Sequence, residues 1–197
     1  MGPRSQAQPR GRAEPVEAEM PLGRYLASTE KRVRDRAIRS LAAFVLMRAQ
    51  EGGLSMSPAE LSKLWKGLFY CFWMSDKPLV QQQLAQELSE LVLMVAGIDT
   101  RSDEAQVASL RHALAALDFY QGFWHTMQAE WLGVDKFRID KYYLLMRRFL
   151  QAGCQLLLVY GCDALLVERY VHIMRGTDGP LSSNNVHVPD SITYHIC

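Results

Sequence analysis

Residues 64–78 read LWKGLFYCFWMSDKP, which places five aromatic side chains within nine positions and ends in a charged turn. Four of these side chains recur at spacings of four, three and one, which puts them on one face of a helix: Trp65, Phe69, Phe72 and Trp73. Because so much aromatic surface is unfavourable in water, this face predicts either a helix–helix core or a recognition surface. We interpret it as core, with Tyr70 and Lys66 at its edge, where they can contact a partner.

A second aromatic segment, residues 123–148, reads FWHTMQAEWLGVDKFRIDKYYLLMRR. It repeats the order of the first segment, with aromatic residues, then an Asp-Lys step, then a basic helix. The residues that either build the core or bind a partner are therefore Trp65, Phe69, Tyr70, Trp73, Trp124 and Trp131. Together the two segments predict that tryptophans join the helices and leave lysines and arginines outside.

Helical spacing of apolar residues continues from residue 21 onward, and no alternating run bounded by turns predicts a strand. Capping residues, prolines and glycines predict helices over about 29–49, 58–73, 77–97, 102–131, 135–151 and 162–174. Asp76 and Asp135 are the expected N-caps of the third and fifth of these helices, and the fourth is expected to break near Gly122. Helices of this length with short links predict an all-α fold of antiparallel helical hairpins, either a HEAT-like α-solenoid or an irregular bundle.

The composition of the chain predicts three regions. Residues 1–20 carry three prolines and mixed charge, which is typical of a disordered leader. A helical domain is expected over residues 21–175, followed over residues 176–197 by a polar loop and the start of a further element that Cys197 cuts off. We expect neither a signal peptide nor a membrane span. The four cysteines form no CxxC pair, which fits a reducing compartment.

Basic residues cluster in two parts of the chain. Residues 24–48 contain seven of them against two acids, and residues 135–148 contain five against two, whereas residues 76–130 contain eight acids against three bases. Such a distribution predicts one surface that faces RNA and another that faces proteins. The candidate RNA-binding residues are Arg32, Arg34, Arg36, Arg39, Lys66, Lys77, Arg138 and Lys141. The alternative is a solvated helix face with internal ion pairs, such as Arg138 or Lys141 with Asp135 or Asp140.

No catalytic or metal-binding pattern emerges from the sequence. Asp135 and Asp140 are five residues apart and do not share a helix face well, so they make a poor pair of metal ligands. The five histidines are scattered, and neither GxSxG nor a phosphate-binding loop occurs. We therefore expect no enzyme, no cofactor, no metal and no small-molecule substrate.

Three segments resemble the ribosomal RNA processing protein 1 family: LASTEKRVRDRAIRSL, LWKGLFYCFWMSDKPLVQQQLA and the run over residues 123–148. The resemblance extends over residues 22–170. It implies an all-helical domain, a place in the nucleus and nucleolus, and a role without catalysis in pre-rRNA processing toward the large (60S) ribosomal subunit. Family members are generally longer than this chain, with a basic low-complexity tail.

The function predicted from this resemblance and from the basic rows is that of a non-enzymatic assembly factor. Its expected partners are pre-rRNA and large-subunit assembly factors, which it binds through basic and aromatic helical surfaces. The alternative is a scaffold for protein–protein interactions that makes no direct contact with RNA.

Overall fold

The computed structural model describes residues 22–50, 56–98, 108–182 and 184–197. Within these ranges every regular element is a helix, which confirms the predicted all-α class. The elements are α1 (Leu22–Leu26), α2 (Lys31–Gln50), α3 (Pro58–Trp73), α4 (Pro78–Val95), α5 (Leu110–Glu130), a 3-10 helix (Trp131–Gly133), α6 (Ile139–Val159), α7 (Ala164–Arg175) and α8 (Asp190–Ile196). The predicted leader and the glycine pair at 52–53 lie outside the described residues. The division into regions 21–175 and 176–197 stays a prediction.

The described helices form two layers. Each helix packs against the helix two places further along the chain, so that α1, α3, α5 and α7 make one layer and α2, α4, α6 and α8 make the other. Stacked helical hairpins produce this alternation, because each new hairpin adds one helix to each layer. The layering therefore favours the stacked-hairpin form of the predicted fold over an irregular bundle.

Local capping explains where α3 and α7 begin. The Ser57 hydroxyl accepts from the Glu60 backbone N–H while the Glu60 carboxylate accepts from the Ser57 backbone N–H, and Pro58 occupies the first turn. The hydrogen bond from the Ser57 side chain lowers the pKa of Glu60. The Asp163 carboxylate likewise accepts from two backbone N–H groups of α7. These short-range interactions are the reason that the sequence predicted the start of α3 correctly.

Several other predicted boundaries are wrong. Helix α6 continues to Val159, well past its predicted end at residue 151. Helix α5 begins at Leu110 after Ser109 and continues through Gly122 without a break. The N-cap of α4 is Lys77 and not Asp76. Asp135 does not cap α6; its carboxylate accepts from the Phe137 backbone N–H and pairs with Arg138, so it closes the turn before the helix.

The centre of the core is Trp65, only 2% exposed, against Phe119, Phe123 and Phe149 at ring-centroid distances of 4.7, 5.6 and 5.4 Å. The Trp65 indole N–H donates to the Phe119 backbone carbonyl at 2.9 Å, which satisfies its buried polar atom. This contact joins α3 to α5. Gly122 lies directly over the indole and leaves it the room to approach.

The C-terminal end of α3 is held by two buried cations from the other layer. The Lys141 ammonium of α6 donates to the backbone carbonyls of Trp73 and Ser75, at 2.7 Å each. The Arg34 guanidinium of α2 donates to the Met74 carbonyl at 3.2 Å. Carbonyls at a helix C-terminus lack partners within the helix and carry partial negative charge, so cations stabilise them.

Arg34 and Lys141 are two of the predicted RNA-binding residues, and the structure places both in the interior of the fold. Their side chains are committed to backbone carbonyls, and the residues are only 8% and 6% exposed. Arg34 also donates to the carbonyls of Ser28 and Thr29 before α2. The pKa of Lys141 is lowered to about 8, mainly by burial and in smaller part by the Arg138 charge, while Asp76 and Asp135 act in the opposite direction.

We expect Gly122→Ala to destabilise the protein by about 1–3 kcal/mol, because the chain cannot shift Trp65 without disturbing the core. The added Cβ would lie 2.5 Å from Cδ1 and 2.7 Å from Nε1 of the indole. Urea unfolding measures the change. Gly133→Ala is the matched control, since its Cβ would meet nothing within 4 Å, and it should stay within about 0.5 kcal/mol of wild type. Equal stability of the two variants would contradict the packing described here.

We expect Lys141→Met to lower the free energy of unfolding by about 1–3 kcal/mol at neutral pH, since the Trp73 carbonyl loses this donor and the Ser75 carbonyl keeps only the Gln81 side-chain amide. Lys63→Met, at an exposed position of α3, is the control and should be near neutral. Urea unfolding at a series of pH values checks both.

The deficit of Lys141→Met should grow as the pH rises above 8. The pKa of Lys141 is about 8 in the folded chain, below the ordinary value of the unfolded chain. Between these two pKa values the unfolded chain binds a proton that the folded chain has released, so this lysine makes wild-type stability rise with pH. A deficit that shrinks over this range would show that Lys141 does not titrate as described.

Candidate nucleic-acid interface

Three arginines on α2 face solvent and form the arginine stripe: Arg32, Arg36 and Arg39. The opposite side of the helix is buried through Ala37, Leu41 and Val45, which fixes the direction in which the stripe points. In the part of the chain that the structure describes, none of the three arginines forms an ion pair. Lys31 of the same helix differs, since it pairs with Asp35 at 2.6 Å.

A groove of about 560 Å³ runs beside the stripe between α1 and α2. Arg32 and Arg36 stand on its rim, Val33 and Ala37 supply apolar surface, and polar groups come from Tyr25, Glu30 and Ser40. Arg39 stands at the other edge of the stripe, where it lines a second groove, against α4, together with Asp35 and Glu87. The groove beside α1 thus combines two guanidinium groups with apolar surface and an aromatic ring. Tyr25 was missed from the sequence, because α1 is too short to produce a periodic pattern.

The other predicted basic residues are less available. The Lys66 ammonium pairs with the Glu130 carboxylate at 2.8 Å, and the Tyr70 hydroxyl donates to the same carboxylate at 3.0 Å. This hydrogen bond between Lys66 and Glu130 lowers the pKa of Glu130 and raises the pKa of Lys66. Lys77 is exposed at the turn between α3 and α4.

Arg138 has two partners of different kinds. Its guanidinium pairs with the Asp135 carboxylate, which is one of the internal ion pairs considered from the sequence. It also lies over the Trp73 ring at 4.6 Å. The residue is half-buried. It therefore ties the link between α5 and α6 to the end of α3 and keeps part of its guanidinium surface accessible.

Four of the six candidate aromatic residues lie inside the protein: Trp65, Phe69, Trp124 and Trp131. The Trp131 indole N–H donates to the Ser191 hydroxyl at 2.7 Å and so attaches α8 to the rest of the fold. Tyr70 and Trp73 are partly exposed at the edge of the aromatic cluster. Only these two of the six have surface that a partner can reach.

The structure brings no obvious metal ligands together. Among the described residues, no group of three or more His, Cys, Asp and Glu side chains is placed to hold a metal ion. Asp135, one of the two carboxylates considered from the sequence, is occupied by Arg138 and the Phe137 backbone N–H. None of the described helices is both long and apolar enough to span a bilayer.

A family model described as "Nucleolar protein, Nop52" matches residues 17–197 of the chain. Human ribosomal RNA processing protein 1 homolog A is 36% identical over 156 residues, which is 79% of this chain and 31% of that protein. Mouse ribosomal RNA processing protein 1 homolog B is 42% identical over 140 residues, 71% of this chain and 17% of that protein. The Drosophila melanogaster homolog is 32% identical over 136 residues, 69% of this chain and 18% of that protein.

These matches confirm the resemblance on which the sequence interpretation rested. The chain spans less than a third of the length of each of these three relatives. The predicted nuclear and nucleolar location agrees with the description of the family as nucleolar, and the predicted connection with ribosome biogenesis agrees with the names of the relatives. The chain belongs to the Nop52 family of nucleolar proteins.

Proposed function

We propose that this protein is a non-enzymatic assembly factor that acts in pre-rRNA processing on the path to the large (60S) ribosomal subunit. It contacts precursor RNA through the arginine stripe and the groove beside it, and it contacts assembly factors through other helical surfaces. The observation that carries the proposal is the row of exposed arginines without ion pairs on α2, in a chain whose relatives are named for ribosomal RNA processing.

Arginines in this arrangement suit a phosphate backbone. Each guanidinium presents several donors in a plane and can bind a phosphate through two hydrogen bonds. From Arg32 to Arg39 the helix rises about 10 Å, so the stripe can reach more than one phosphate of the same strand. Arg32, Arg36 and Arg39 form no ion pair within the described residues. Their binding to phosphate therefore breaks no such pair, and it releases counterions from the RNA.

The interior of the fold supports a role in binding and not in catalysis. Lys141 and Arg34 cap α3, and the tryptophans fill the core or its edge. Because these buried cations hold the fold together, the charged residues on its surface keep fixed positions. Charges in fixed positions lose little conformational freedom when a partner binds.

The second candidate function is a protein–protein scaffold without RNA contact. Glu87 and Glu90 on α4 favour it, since both accept hydrogen bonds from glutamine side chains and neither forms an ion pair within the described residues. Such an acidic helix face suits a basic protein partner. The salt dependence of RNA binding separates the two functions. An RNA-binding protein loses affinity for RNA as the salt concentration rises, whereas a pure scaffold does not bind RNA at any salt concentration.

We expect the Arg32→Ala, Arg36→Ala, Arg39→Ala triple variant to bind an RNA duplex more weakly and with less dependence on salt. Loss of three phosphate contacts should reduce the magnitude of the slope of log K against log salt by about 2.7. Fluorescence anisotropy titrations at several salt concentrations measure the slope, and circular dichroism verifies the fold. Arg34 is left unchanged, because its replacement would disturb the end of α3.

The control triple variant Lys63→Ala, Arg111→Ala, Arg175→Ala removes the same charge from exposed positions elsewhere. It should keep most of the wild-type slope. Equal losses in both variants would mean that only net charge matters, and a wild-type slope near zero would support the scaffold.

In cells, crosslinking followed by sequencing should recover pre-rRNA with the protein. The protein should also sediment with precursors of the large subunit, and the arginine-stripe variant should be depleted from both fractions. Recovery of neither pre-rRNA nor precursor particles with the wild-type protein would refute the proposed function.

A further inference from the structure

Phe137 projects from the link between α5 and α6 with 85% of its surface exposed. It stands in the turn that follows the 3-10 helix and precedes α6. Phenylalanine is usually buried, so a ring left in water on an ordered turn calls for an explanation. The Phe137 ring is not among the side chains that pack against the core. Val134 and Ile139, on either side of it in the sequence, do pack there.

The turn beneath the ring is held on both sides. The Phe137 backbone N–H donates to the Asp135 carboxylate at 2.9 Å, and the backbone N–H groups of Arg138 and Ile139 donate to the Asp135 carbonyl at 3.0 and 3.2 Å. The Arg138 side chain closes the turn by pairing with the Asp135 carboxylate. A ring on such a support loses little conformational freedom when a ligand covers it.

A cation lies beside the ring. The ammonium of the exposed residue Lys136 is 5.1 Å from the centre of the Phe137 ring. The Asp135 carboxylate does not oppose this charge, because it is paired with Arg138. Asp140 is an exposed carboxylate of the second aromatic segment, and it would repel an anionic ligand that came close to it.

We propose that Phe137 is a stacking platform for an unpaired RNA base, with Lys136 placed to contact the adjoining phosphate. Proteins bind single-stranded RNA by combining aromatic faces for the bases with basic side chains for the backbone. Bases inside a duplex are already stacked on their neighbours, so this site selects single-stranded segments. The inference rests on the proposed function, since it assigns a second contact, with a different RNA structure, to an RNA-binding protein.

The neighbouring Leu132 is 93% exposed and points to the one serious competitor, a protein partner that buries Leu132 and Phe137 together. Contact centres between proteins are depleted in charge and surrounded by residues that exclude water. The immediate neighbours of Phe137 are instead Lys136 and the Arg138–Asp135 pair. The chemistry around the ring therefore favours a base and its phosphate.

The test uses the full chain and three fluorescent probes: an oligouridine of roughly ten nucleotides, the same backbone without bases, and an RNA duplex. Phe137→Ala should weaken binding to oligouridine about tenfold and leave binding to the other two probes unchanged. Phe137→Trp should restore the affinity, because a larger ring stacks at least as well. Leu79→Ala, which removes another apolar side chain that is 78% exposed, is the matched control and should bind oligouridine like wild type.

Oligouridine binding that is the same for wild type and Phe137→Ala would overturn the inference. If Phe137→Ala and Leu132→Ala then both reduce sedimentation with precursor particles, the site belongs to a protein partner. These results leave duplex binding through the arginine stripe intact, and with it the proposed function. A wild-type protein that binds neither the duplex nor oligouridine would instead refute the proposed function.

Discussion

The C-terminal carbonyls of α3 are the point at which the two helical layers are tied together. Lys141 reaches them from α6 and Arg34 reaches them from α2, so one helix end in the first layer holds two helices of the second. Removing either cation would leave buried oxygens unpaired, which is more costly than the loss of an ordinary surface contact. The aromatic cluster around Trp65 supplies the apolar burial. The two cations fix α2 and α6 to the end of α3.

This constraint divides the basic residues into two groups with different tasks. Arg34 and Lys141 stabilise the fold from within, while the arginine stripe is left without a partner in the described part of the chain. Lys66 and Arg138 are intermediate, since each is exposed or half-exposed but paired with a carboxylate. Surface charge that is already paired contributes little to a new contact, so the unpaired stripe is the stronger basis for RNA binding.

The proposed contacts lie on different elements. The arginine stripe belongs to α2, and Phe137 stands on the link before α6. A rigid two-layer fold keeps such sites at a constant separation, which is useful to a factor that has to recognise one shape of a folded precursor RNA. The acidic residues of α4 leave a further side for protein partners. Under the proposed function, the protein organises other molecules.

Of the basic residues predicted on α2, Arg32, Arg36 and Arg39 are exposed, whereas Arg34 is buried. Arg34 is seven residues before Leu41 and eleven before Val45, which places it on the buried face of α2. That signal was present in the sequence and could have separated Arg34 from Arg32 and Arg36. No comparable signal revealed Tyr25, because the groove that it lines exists only where α1 meets α2.

The sequence by itself determined those features that depend on residues within about one helical turn of each other. The Ser57–Glu60 capping box and Pro58 specify the start of α3 in this way, and the aromatic spacing specifies its buried face. Tertiary structure alone decided which groups meet across long distances in the chain. The Lys141 ammonium binds carbonyls that lie 66 and 68 positions earlier, and the Trp131 indole binds the Ser191 hydroxyl 60 positions later. These contacts depend on how the layers pack, because only packing brings residues so far apart in the chain within hydrogen-bond distance.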